Sequence, residues 1–207
     1  MIACVFENTI EGFLSAVFDL YKYGIDPDVF CAGDLLQTGL DMRVIKIETQ
    51  EEKADRIRRF LLNNVNVKSY QDLLYAFAGG NENKFSIIYK YFKVLFEYKQ
   101  NAPYMLNDQR MINFFDLSRA VALECHRMQG FIRFSECKGG IYYANYAPDN
   151  DITQFIMPHF CNRFSSMPFI IHDVKRNIAG IYNMSNYKIF RGLGVLELEF
   201  TQEEECF

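Results

Sequence analysis

Residues 124–134, Glu124-Cys-His-Arg-Met-Gln-Gly-Phe-Ile-Arg-Phe, crowd a carboxylate (Glu124), an imidazole (His126) and two guanidinium groups (Arg127, Arg133) into eleven positions. His159, Arg163, His172, Asp173 and Arg176 follow within the next fifty. These types allow three chemistries. A carboxylate beside a histidine can move protons, so Glu124, His126, His159 and Asp173 are the candidate acid–base set. Arginine forks match phosphate oxygens, which makes Arg119, Arg127, Arg133, Arg163 and Arg176 a candidate anion-binding set. His126 and His159 would assist, and Tyr142, Tyr143 and Tyr146 could stack bases, with Tyr143 taken as the nucleic-acid contact. Metal ligation by His126, His159 and His172, with Cys125, Cys161 or Asp173, is the third. It lacks the short fixed spacings of zinc sites, so no metal and no cofactor is expected. The anion set is preferred, and a polar network serving only structure is the plain alternative.

The charge pattern agrees with that preference. A net charge of −4 excludes a uniformly basic nucleic-acid binder, yet residues 110–191 carry 10 basic and 6 acidic side chains and all three histidines. Residues 192–207 hold five Glu and nothing basic. An anionic partner is therefore sought in the middle block. G-x-S-x-G, G-x-G-x-x-G and the P-loop pattern are all missing, which removes support for a serine hydrolase and for the common nucleotide folds. Arg56, Arg58 and Arg59 read as a solvated helix face. The six cysteines form no C-x-x-C pair, no basic-then-apolar leader opens the chain, and no run of about 18 apolar residues could span a membrane. A cytoplasmic protein with reduced thiols is expected.

The elements that must position these side chains follow from periodicity, and together they predict an α+β fold. Residues 1–78 read as an N-terminal strand-helix-strand-helix lobe: a strand at Ile2–Phe6, a helix capped by Asn8 and Glu11 and ended by Gly24, a strand at Met42–Glu48, and a helix opened by Thr49 and Glu52. The remainder, 79–207, carries the motif. It begins with central helices, of which Asn83–Lys99 is apolar on nearly every side and must be packed on more than one face. A further helix from Asn107 or Asp108 to Gln129 delivers Glu124 in an apolar stripe, where it would pair with Arg127 or Arg133 or reach water at a frayed end. Gly130 stops that helix and a strand opens at Phe131. Hairpins around Cys137–Gly140 and Lys175–Asn177, a helix capped from Pro148–Asp151 and broken or kinked at Pro158, and a last strand at Gly194–Phe200 complete a largely antiparallel sheet with a packed helix. Cys125 and Cys161 read as inert buried thiols.

The ordered set Glu124-x-His126-Arg127-Met128-x-Gly130-Phe131-x-Arg133-Phe134, Tyr142-Tyr143-Ala144, Pro148-Asp149, His159-Phe160-x-x-Arg163 and Ile171-x-Asp173-x-x-Arg176 resembles a bacterial family known as the probable DNA metabolism proteins. The resemblance covers roughly residues 80–200, with weaker agreement at Phe6–Phe18, and Phe169 stands where relatives tend to have Trp. It implies a C-terminal domain of unknown function, a place in DNA repair or modification, and a radical SAM protein as partner. Some members are fused to a uracil-DNA-glycosylase-like domain, whose activity is not carried over here. The C-x-x-x-C-x-x-C motif of radical SAM enzymes is missing, so this chain is not the radical enzyme. Two alternatives stand beside this reading. One is a hydrolase or nucleotide-processing enzyme using Glu124, His126, His159 and Asp173; the other is a protein-interaction adaptor with a structural polar core.

Overall fold

The computed structural model describes residues 1–33, 42–65 and 67–192. The chain divides into two compact units, Met1–Phe77 with Asn81–Arg119 and Ala78–Gly80 with Ala120–Phe207.

In the first unit, β1 (Ile2–Phe6) is the middle strand of a parallel sheet, flanked by β2 (Val29–Ala32) and β3 (Arg43–Lys46). Between β1 and β2 runs α1 (Ile10–Tyr23), whose cap lies one residue later than expected: extended Thr9 accepts the Gly12 N–H on Oγ1 at 3.0 Å. Gly24 closes the helix at φ 63°, a conformation that needs glycine. The four-residue β2 is a strand beyond the expected strand-helix-strand-helix pattern, because so short a run between Pro27 and Gly33 gives no periodicity to detect. Thr49 does not cap α2 (Glu51–Asn64). Its hydroxyl donates to Glu7 at 2.7 Å, and Ser15 Oγ accepts from the Gln50 N–H at 3.0 Å. Arg58 is tied to Glu11, Glu51 and Asp55.

α3 (Val67–Ala78) and α4 (Lys84–Tyr98) follow, and then a 3-10 turn at Lys99–Tyr104. α4 buries Phe85, Ile88, Tyr91, Phe92 and Leu95 on more than one face, as its sequence demanded. Phe13, fully buried, is the hub of the core: its ring lies 5.4 Å from those of Phe6 and Phe85 and 6.2 Å from those of Phe30 and Phe77.

α5 (Gln109–Phe131) supplies its first part to one unit and its last part to the other. The second unit carries a five-stranded sheet in the order β4 (Ser135–Cys137), β5 (Ile141–Tyr146), β6 (Phe169–Asp173), β7 (Ile178–Tyr182), β8 (Tyr187–Arg191). Every neighbouring pair is antiparallel except β5 and β6, which α6 (Thr153–Arg163) joins as a parallel crossover. The fold is α+β with a mostly antiparallel C-terminal sheet.

Several local expectations change. The helix carries through Gly130 to Phe131, and the strand opens only at Ser135, so Arg133 sits in the connector. Pro158 lies within one continuous α6. Both Pro158 and Gln154, whose carbonyl loses its donor, are exposed, so water can take the missing bond. Asp151 pairs with Arg191 at 2.9 Å, and the α6 cap position is Ile152. β8, an exposed edge strand, shows no clear alternation and went undetected, while the strand expected at 194–200 lies outside the described residues.

Because Phe13 makes four ring contacts in a close-packed core, Phe13→Ala should cost about 3–5 kcal/mol, read as a lowered urea midpoint by circular dichroism. A loss under about 1 kcal/mol would contradict its place at the hub.

Candidate functional site

Glu124 is the chemically loudest residue of the second unit, because a carboxylate only 4% exposed needs partners. Arg127 and Arg133 are not those partners. Oε1 accepts the Asp149 backbone N–H at 2.8 Å, and Oε2 accepts the Asn150 N–H at 3.0 Å and the Asn150 side-chain amide at 2.6 Å. The loop after β5 thus folds around the carboxylate. Sequence reading missed this because backbone donors leave no residue-type signal.

The same loop is gripped from the β6–β7 turn. Arg176 Nη1 donates to the Pro148 carbonyl at 2.9 Å and Nη2 donates to the Asp149 carbonyl. Fully buried Asp173 holds Arg176 in place at 3.1 Å, and its other oxygen caps the turn by accepting the N–H groups of Lys175 and Arg176 at 3.0 and 3.2 Å. Residues 78–80 complete the clamp: Gly80 N–H donates to Asn150 Oδ1 at 2.8 Å, and Ala78 O accepts from Asp151 N–H at 3.0 Å. A Cβ on Gly80 would stand 2.5 Å from the Asp149 carbonyl oxygen, which is why this position is glycine. Of the acid–base set, Glu124 therefore accepts from the 148–150 loop and Asp173 from the 173–176 turn.

The histidines are dispersed. His126 is exposed on α5. His159 packs edge-on against Phe160 at 5.1 Å, and its buried Nε2 has no hydrogen-bond partner among the described residues. His172 lies on β6 with Nδ1 2.9 Å from the Tyr143 hydroxyl and Nε2 3.3 Å from Asn177 Oδ1. Since an amide oxygen only accepts, Nε2 carries the proton and Tyr143 donates to Nδ1. Burial, and then the neighbouring Cys137, push the Tyr143 hydroxyl above its ordinary pKa. Among the described residues no three His, Cys, Asp or Glu side chains gather as a metal-binding group.

The anion set divides. Arg133 and Arg163 stand at the rim of a 480 Å³ cavity, a volume suited to a small ligand. Its wall is aromatic: Phe134 meets Phe160, Phe164 and Phe169 edge-to-face at 5.5, 5.2 and 5.4 Å, and Tyr142 and Met167 close the sides. Arg133 Nη1 donates to the Gly130 carbonyl at 2.7 Å, and Arg163 lies 5.3 Å over the Phe164 ring. Both arginines are exposed, and among the described residues no carboxylate pairs with either. Arg176 is spent in the clamp, and Arg127 is exposed on α5. Arg119 lies in the first unit beside a separate cavity with Leu106 and Phe115. Tyr142 and Tyr143, adjacent on β5, face opposite sides of the sheet, and it is Tyr142 that lines the cavity. Glu124, His126, His159 and Asp173 do not line it. The aromatic wall was missed because Phe134, Phe160, Phe164 and Phe169 read as ordinary core; only their convergence distinguishes them.

A family model described as a domain of unknown function, DUF4130, matches residues 82–206, more than half of the chain. The chain belongs to the DUF4130 family. No curated protein matches it. The matched region of this DUF4130 chain takes in Glu124, the 148–150 loop, Asp173 and Arg176, the cavity and both rim arginines, while residues 78–80 of the clamp precede it. Its buried thiol Cys125, next to the clamp, has its pKa pushed up to about 12 by burial and then by the Glu124 charge.

Because Glu124 and Arg176 hold the same three-residue loop, releasing it from one side removes the other's purpose. The variants Glu124→Gln and Arg176→Ala should each lose roughly 1.5–3 kcal/mol in urea unfolding, and the double variant should lose at least about 0.5 kcal/mol less than their sum. Strict additivity would mean that the two grips are independent. Cys125 should react with iodoacetamide at pH 8 on the order of 100-fold slower or more in the folded protein than in the urea-unfolded chain, as read by mass spectrometry of the labelled peptide.

Proposed function

We propose that this protein is an accessory factor of DNA repair or modification. In this reading its second unit binds a nucleoside phosphate, within DNA or free, through the cavity between Arg133 and Arg163, and it acts beside a radical SAM partner. The observation that carries the binding half is the pairing of two arginines, without carboxylate partners among the described residues, with an aromatic-walled cavity. An arginine pays little to leave water and meets phosphate oxygens with two parallel N–H donors, while π-faces accept a base of any sequence. The DNA setting and the radical SAM partner rest on the family resemblance of the 124–134 motif and the ordered matches that follow it.

The chemistry of the cavity wall favours binding over turnover. Among the described residues it presents cations, rings, a thioether and backbone, and no carboxylate or imidazole to move a proton. The lone pairs of Glu124 and Asp173 are committed to the 148–150 loop and the 173–176 turn, so the hydrolase alternative gains no support from them. The adaptor alternative accounts for the clamp but leaves the rim arginines without a task.

Binding of a labelled oligodeoxynucleotide should weaken with salt, and Arg133→Ala and Arg163→Ala should each reduce the slope of log affinity against log salt by about 0.7 for a single strand. Wild-type slopes in both variants, or salt-independent binding, would remove the phosphate reading. For the partner, a radical SAM protein of the same organism should co-purify with this chain from cells expressing both; its complete absence from the eluate would remove that half.

A further inference from the structure

Phe131, the last residue of α5, exposes 68% of its surface. Its two sequence neighbours, Gly130 and Ile132, both line the cavity, and consecutive Cα atoms are only about 3.8 Å apart. The backbone of Phe131 therefore adjoins the cavity wall, and its side chain is exposed to solvent. One helical turn earlier, on the same face of α5, is Arg127, also exposed and without a carboxylate partner among the described residues. The rise between positions four apart is about 6 Å, comparable to the step between successive phosphates of an extended strand. An exposed ring and an exposed cation thus lie on the end of α5 whose Gly130 lines the cavity.

We propose that the cavity takes one unstacked nucleotide of a single nucleic-acid strand, and that the neighbouring nucleotide stacks on Phe131 with its phosphate against Arg127. This rests on the nucleotide reading of the Arg133–Arg163 cavity and extends it from a ligand to a strand. Duplex DNA does not fit the arrangement, since its base faces are already stacked on one another and cannot reach the Phe134 and Phe164 rings. A free nucleoside monophosphate would fill the cavity and leave Phe131 and Arg127 unused. The two sources of the same chemistry are therefore separable.

The test compares a fluorescein-labelled oligothymidylate of ten nucleotides, the same sequence as a duplex, and thymidine monophosphate as competitor, on the full chain and on Phe131→Ala. Because Phe131 is mostly exposed, the variant should melt with the wild type. It should bind the single strand about 5- to 100-fold more weakly and thymidine monophosphate unchanged, with the duplex the weakest ligand of the wild type. The chain contains no Trp, so Phe131→Trp installs a single reporter there. It should restore single-strand affinity and be quenched by the oligonucleotide but not by thymidine monophosphate. An unchanged single-strand affinity in Phe131→Ala, an equal loss for the monophosphate, or a duplex bound as tightly as the single strand would each overturn the strand proposal. If Arg133→Ala and Arg163→Ala lose the oligonucleotide while Phe131→Ala keeps it, the cavity reading survives and the strand falls. If the arginine variants bind as wild type, both fall.

Discussion

The second unit depends on satisfying one buried carboxylate. Glu124 sits on the inward face of α5, where an unpaired charge would cost several kcal/mol, and the chain answers by wrapping the 148–150 loop around it with three N–H donors. That loop joins β5 to α6, so fixing it fixes where β5 ends and where α6 begins. Arg176, held in place by Asp173, donates to the loop's carbonyls, which ties the β6–β7 turn to the same point. One polar knot thus sets the relative positions of the strand that carries Tyr142, the helix that carries Phe160 and Arg163, and the strand that carries Phe169.

The cavity is a consequence of that arrangement. Six residues beyond Glu124, α5 reaches Gly130, and the connector to β4 brings Arg133 and Phe134 to the side of α6 where Phe160 and Phe164 emerge. Gly180 on β7 lets Met157 of α6 approach the sheet closely, because a Cβ there would collide with the thioether. The polar groups with strong acid–base character lie in the knot, and the groups left at the cavity are cations and rings. The division of labour is physical: groups that must be satisfied to fold are buried and paired, and the rim arginines remain available to an anion from outside.

Much of the scaffold was legible from the sequence. The 3.6-residue period of α1, α4 and α5 and the hairpin chemistry of Gly139 and Gly140, both at positive φ, need only local information. β2 and β8 were too short or too exposed to announce themselves. For the site, Arg133 and Arg163 could be named as anion candidates from residue type, because an arginine keeps its charge wherever it lies. What they stand over could not be read: four phenylalanines spread from Phe134 to Phe169 look like core until the fold brings them to one wall. Glu124 could be named as a buried carboxylate, but its partners could not, since two of its three donors are backbone amides that no sequence pattern marks.

The central claim, that Arg133 and Arg163 receive a phosphate over an aromatic wall, is tested most directly by arginine side-chain NMR. Nε–Hε signals would be followed while thymidine monophosphate is added to saturation. The account predicts that the signals of Arg133 and Arg163 shift together along one binding curve, while those of Arg119 and of Arg176, held in the loop clamp, stay in place. Unmoved Arg133 and Arg163 signals, or shifts centred on Arg119, would contradict it.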